Sequence, residues 1–147
     1  MDDFSITCHG KPLDESTYSI DLENKVFNTD SSNLVLDFSG LGGWTFNTGS
    51  NCTFRTGHNC TFKTGSACTF RTGWDCTFDT YGGCTFRTGN NCTFNTGYNC
   101  AFSVFHINSC TFMYNESGKN SIILDRTDNK HYLLTKEFVQ LRKIRNG

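Results

Sequence analysis

Proline is nearly missing from this 147-residue chain, which has one, Pro12. Long apolar runs are missing altogether: nothing approaches the roughly 20 residues that a membrane-spanning helix needs. The chain opens Met1-Asp2-Asp3, acids where a secretory leader carries basic residues, and no apolar stretch follows. An unexported, cytoplasmic protein that does not engage a membrane is expected. Neither sign of charge dominates, and a formal net charge of −1 argues against both a nucleic-acid-coating protein and a strongly acidic DNA mimic. Zinc-type C-x-x-C pairs, a phosphate loop, H-E-x-x-H and a Ser/His/Asp order are all lacking, and the four histidines are scattered. The reading is therefore a non-catalytic protein with no cofactor and no metal.

What the chain does have is concentrated. Fourteen of its 21 aromatic residues are Phe, and seven cysteines fall at 52, 60, 68, 76, 84, 92 and 100 without a slip. From Trp44 the octads run WTFNTGSN, CTFRTGHN, CTFKTGSA, CTFRTGWD, CTFDTYGG, CTFRTGNN and CTFNTGYN, then a degenerate CAFSVFHINS and CTFMYNES. Within an octad C-T-F-x-T alternates with the period of a strand. Cys and Phe share one face, while the other face carries a variable fourth residue that is mostly charged or amide-bearing. Cys and Phe must therefore look inward. The fifth-position Thr closes the strand with its hydroxyl on turn backbone, and Gly is expected to supply a positive φ in the turn. One octad cannot bury its own Phe, but stacked coils can.

Sorting the fourth position by period gives the coil size. At two octads per coil, Arg55, Arg71 and Arg87 form one column ended by Ser103, and Asn47, Lys63, Asp79 and Asn95 form the other. Three octads per coil would mix Arg55 with Asp79. The fold expected is all-β, a short parallel β-solenoid with a Cys/Phe core over residues 44–113. Nine octads make four to five coils, on the order of 20 Å of stack. Residues 1–43, with two basic and eight acidic residues, read as an acidic N-terminal β cap. Residues 114–147, with seven basic and four acidic, read as a C-terminal cap: a hairpin of Ser121–Arg126 and Lys130–Leu134, then a short helix Lys136–Arg145 behind Thr135 as N-cap.

The C-T-F-[RK]-T core of the octads resembles the repeat of pentapeptide-repeat proteins, in which a small residue and a Leu or Phe two positions later point into a β-solenoid. The extra G-x-x in each repeat departs from that pattern, so the quadrilateral coil of that family does not carry over. Tandem CTFxTGxN octads are also similar to those of proteins encoded by tailed bacteriophages and some bacteria. Both resemblances cover residues 44–113 only and imply no catalytic residue.

The cysteines admit three readings: a buried thiol stack, a disulfide ladder between coils, or a metal array. An odd count of nine and a repeat spacing favour the first. The outer threonines raise ice binding, but ice-binding solenoids that this chain resembles pair T-x-T on one face, and here the partner position is Arg, Lys, Asn or Asp. The feature that invites function is the Arg55–Arg71–Arg87 column, flanked at the seventh position by His58 and Trp74. Arg forks bind carboxylate and phosphate bidentately, and Arg and Trp are enriched in interaction hot spots. The expectation is a phage-encoded interaction protein that binds and inhibits or redirects a host protein through Arg55, Arg71, Arg87, Trp74 and His58. The alternatives are a virion or assembly component that self-associates through its oppositely charged caps, and a protein sequestering a nucleotide or small anion. The bland reading of the same residues is that Arg keeps the prism soluble and Trp74 packs on a turn.

Overall fold

The structure, a computed structural model, describes residues 4–113 and 120–140. In chain order, β1 (Ser5–Cys8) and β2 (Lys11–Pro12) form a hairpin, followed by β3 (Tyr18–Asp21), β4 (Val26–Thr29) and β5 (Leu34–Phe38). The octads then give one strand each: β6 (Thr45–Asn47), β7 (Thr53–Thr56), β8 (Thr61–Lys63), β9 (Thr69–Arg71), β10 (Thr77–Asp79), β11 (Thr85–Arg87), β12 (Thr93–Asn95), β13 (Ala101–Val104) and β14 (Thr111–Met113). The described chain continues with β15 (Ile122–Asp125) and β16 (Lys130–Leu133).

These strands sort alternately into two sheets. Sheet A orders β16-β15-β13-β11-β9-β7-β5-β1-β2, and sheet B orders β14-β12-β10-β8-β6-β4-β3. Octads sixteen residues apart pair in parallel and in register, Arg55 with Arg71 and Arg71 with Arg87 on sheet A, Lys63 with Asp79 and Asp79 with Asn95 on sheet B. The two-octad coil is therefore the real period, and the chain is a parallel β-solenoid.

It is taller than the octads alone imply. Phe27 pairs with Phe46 and Leu36 with Phe54, so β4 and β5 make a full coil ahead of the first octad, and Ile123 of β15 stacks on Phe102. About six coils result, some 24 Å of stack at the ordinary strand spacing. The added rungs fill the Phe position with Phe27, Leu36 and Ile123 but lack the C-T-F-x-T-G signature, which hid them from the repeat count.

The interior is a double ladder of rings. Within a sheet successive Phe rings stack nearly parallel, Phe54 on Phe70 at 5.0 Å and Phe70 on Phe86 at 4.9 Å. Across the sheets they meet edge to face, Phe70 on Phe78 at 5.1 Å and 74°. Both geometries satisfy the ring quadrupole. The eight repeat cysteines are buried at 2% exposure or less and all are free thiols, so the stack is a reduced core and not a disulfide ladder. Their S–H groups donate to turn carbonyls, as Cys68 does to Ser66 at 3.6 Å and Cys76 to Trp74 at 3.6 Å. The neighbouring Cys60 and Cys92 thiols, together with burial, push the Cys76 thiol up. The fifth-position threonines turn inward and donate to the next carbonyl, Thr56 to Gly57 at 3.4 Å and Thr88 to Gly89 at 3.4 Å.

The turn corrects one expectation. Positive φ falls on the eighth residue of each of the first seven octads and not on the sixth-position Gly: Asn51, Asn59, Ala67, Asp75, Asn91 and Asn99 lie at 56–59° and Gly83 at 71°. Asn and Asp tolerate this region, which explains the Asn preference before each Cys. The sixth-position Gly is demanded by close approach instead. A Cβ on Gly57 would lie 2.8 Å from the Leu41 carbonyl oxygen of the preceding coil, and one on Gly97 would lie 2.7 Å from Gly82 N.

Antiparallel strands finish both sheets at the N-terminal end and sheet A at the C-terminal end. Pro12, the one proline, sits on β2, the outermost strand of sheet A, where the lost N–H discourages further pairing. At the other end β16 folds back on β15, and Thr135 Oγ1 caps the helix at residues 136–140 by accepting from Phe138 N at 3.0 Å. Leu141 to Arg145 of the expected helix lie outside the described residues. Asp125 anchors this end although it is fully buried. Burial opposes its ionisation, but donors from Thr127 Oγ1 and from the Ile107, Thr127 and Asp128 amides outweigh it and hold the carboxyl below its ordinary range.

Candidate interaction site

Strand alternation places the second and fourth residues of each octad on the outside, and register stacks them. On sheet A the outer column reads Asp37, Arg55, Arg71, Arg87, Ser103. All three arginines are exposed. Asp37 stands at the foot, its carboxyl held low chiefly by donors from Ser39 and in smaller part by the Arg55 charge. No ion pair joins Arg71 or Arg87 to an acid among the described residues.

A fourth guanidinium tops the column. Arg126 reaches back across two rungs, donating from Nη1 to the Ser103 carbonyl at 2.5 Å and Oγ at 3.1 Å and from Nη2 to the Thr88 carbonyl at 2.6 Å. Desolvation and the neighbouring Arg87 charge both lower its pKa. The repeat gave no sign of it, because Arg126 lies at the end of a strand whose register on the solenoid is not set by octad spacing. The Asp125-Arg126 dipeptide serves both sides of that strand end, the acid inward and the base across the arginine column.

The turn beside the column carries the aromatic pair. His58 and Trp74 occupy the same octad position one coil apart, and their rings stack at 3.5 Å and 8°. His58 Nδ1 accepts from Trp74 N at 3.4 Å. Trp74 keeps 51% of its surface exposed. Between column and turn runs an open groove of about 490 Å³, with Ser39 and Gly40 at one end and Arg55, Gly57, His58, Arg71 and Gly73 along it. The structure thus brings Arg55, Arg71 and His58 around one groove, with Trp74 stacked on His58 and Arg87 one rung further along, toward Arg126.

Other chemistry has little to work with among the described residues. No group of three His, Cys, Asp or Glu side chains is placed to hold a metal ion. The repeat thiols are shielded from any substrate. Among the described residues no helix is long and apolar enough to cross a membrane. Comparison with known protein families, curated proteins and solved structures gives no match to this chain.

Proposed function

We propose that the protein is a non-catalytic interaction protein whose sheet A face, Arg55, Arg71 and Arg87 with His58 and Trp74, docks an acidic patch on a host protein and inhibits or redirects it. The observation that carries the reading is a column of like charges that folding does not require. Two unit charges one strand spacing apart repel by about 1 kcal/mol even in bulk water. The equivalent column on sheet B, under the same packing constraints, reads Asn47, Lys63, Asp79, Asn95 and avoids any like-charge neighbour. A partner carrying carboxylates relieves the Arg repulsion, and a rigid sheet presents the guanidiniums without further ordering cost. The similarity of the octads to phage-encoded repeats supports a phage origin and a bacterial cytoplasmic setting. A free phosphate-bearing ligand in the groove at Arg55 and Arg71 is the second reading, favoured by that concavity.

Affinity capture of tagged protein from host cells, beside an Arg71→Glu/Trp74→Ala variant, tests this. The expected result is one partner retained by the wild type and lost from the variant. Equal retention by both would sink the assignment of this face, and native mass spectrometry of the captured chain would reveal a small bound anion if the second reading holds.

A further inference from the structure

We infer that a second copy of this chain docks face to face on sheet B, forming a two-fold dimer held by reciprocal Lys63–Asp79 pairs. The proposal is independent of the sheet A reading. The outer fourth-position column of sheet B runs Asn47, Lys63, Asp79, Asn95, and the column beside it runs Thr45, Thr61, Thr77, Thr93. Place a two-fold axis in the interface, parallel to the strands, between β8 and β10. Rung order is then reversed in the partner. Lys63 meets Asp79 of the second copy and the reverse, Asn47 meets Asn95, Thr61 meets Thr77, and Thr45 meets Thr93. Each charge finds its opposite, each amide an amide, each threonine a threonine.

The turns that follow these strands carry an independent match. They read Gly49-Ser50, Gly65-Ser66, Tyr81-Gly82, Gly97-Tyr98, small on two rungs and aromatic on the next two. Tyr81 and Tyr98 are 70% and 57% exposed, and Tyr81 takes a position that is Gly in the octads stacked on either side of it. The same axis sets Tyr81 against Gly65-Ser66 of the second copy and Tyr98 against Gly49-Ser50. An open groove of about 390 Å³ lies there, running past Thr48, Gly49, Lys63, Gly65 and Asp79 and bordered by this copy's own Tyr81. Bulk faces hollow, and tyrosine is among the residues that anchor interfaces.

Other pairings fail on charge. A two-fold axis along the solenoid keeps rung order and sets Lys63 on Lys63 and Asp79 on Asp79. On sheet A any in-plane two-fold centred on the arginine column sets Arg against Arg. An isologous contact must be self-complementary, and of the pairings compared sheet B in the reversed sense meets that condition. The face is narrow, so the dimer belongs with the weak interfaces that bury less than about 1,200 Å² in total, and it forms in a concentration-dependent way.

Sedimentation equilibrium of the full chain over a wide concentration range tests this. The weight-average mass should climb from 16.5 kDa toward twice that value. Lys63→Asp and Asp79→Lys should each weaken dimerisation at least tenfold, roughly the effect of like charges juxtaposed twice in one interface. The double swap K63D/D79K should bring it back to near the wild-type strength. Arg71→Glu, on the other face, should leave it unchanged. A wild-type circular dichroism spectrum and a cooperative thermal transition show that each variant is folded. A wild type that stays monomeric at every concentration overturns the proposal. So does a dimer indifferent to K63D, or one weakened by both single changes and not restored by the pair.

Discussion

The two outer faces of this solenoid are built from one octad and one core, yet they differ in kind. Facing Phe rings are equivalent: Phe70 on sheet A and Phe78 on sheet B are each at most 1% exposed, and each stacks on same-sheet neighbours at 4.9–5.1 Å. Outside, one sheet stacks Arg55, Arg71 and Arg87, and the other sets Lys63 beside Asp79. Identical packing with divergent decoration separates what the fold needs from what it carries. The fold needs thiols, rings, a close-approach glycine and a positive-φ residue before seven of the eight repeat cysteines. It does not need three guanidiniums in a row.

The equivalence of the interior is the easiest part of that comparison to break. Phe70→Ala and Phe78→Ala each remove a ring from mid-ladder and should each lower stability by about 3–5 kcal/mol, read as the shift in urea unfolding. The two losses should agree within the scatter of neighbouring sites. A large loss on one sheet only would mean that the sheets do not share one core.

A smaller effect separates the two turn residues that octad spacing left confounded. Gly57→Ala drives a methyl to 2.8 Å from the Leu41 carbonyl oxygen and 3.1 Å from its carbon, backbone atoms that cannot swing aside. Overpacking of this kind costs about 1–3 kcal/mol. Ala67 holds φ at 58°, a conformation that costs an L-residue with a Cβ about 1–2 kcal/mol. Ala67→Asn restores the residue most octads use there and should raise stability by about 0.5–1 kcal/mol, visible as a higher melting temperature. If Gly57→Ala is neutral, close approach is not what selects that glycine.

Those turns mark the limit of what the sequence makes legible. Coil size is readable because stacking sorts charges into columns, and the Arg column, His58 and Trp74 follow from the same arithmetic. Inward Cys and Phe follow from period-two alternation. The coil formed by Val26–Thr29 and Leu34–Phe38 is not readable as a coil, since burial is satisfied there by Phe27, Leu34, Leu36 and Phe38 without any repeated spacing. Arg126 escapes for a related reason: its place against Ser103 and Thr88 depends on the register of a strand outside the octads. The seat of positive φ escapes because glycine serves two purposes, and sequence alone does not say whether its freedom or its missing Cβ is in use.

The smallest effect bears most directly on function. If the arginine column is carried and not needed, reversing its middle charge should stabilise the isolated chain. Arg71→Glu converts two like-charge neighbours, Arg55 and Arg87, into two opposite ones, and exposed pairs of this sort are worth about 0.2–1 kcal/mol. On sheet B, Asp79→Arg does the opposite, turning the Lys63 neighbour from attractive to repulsive, and should destabilise by a similar amount. Because the Debye length shrinks to about 3 Å at 1 M salt, both shifts should fade toward zero there, whereas a packing change would persist. Melting temperatures in low and high salt, taken at protein concentrations too dilute for self-association, decide it. A stabilising Arg71→Glu says that the wild-type column is kept at a thermodynamic disadvantage, which a binding partner can explain and stacking cannot. A destabilising one would make Arg71 a structural residue and remove the reason for proposing that this face recognises anything.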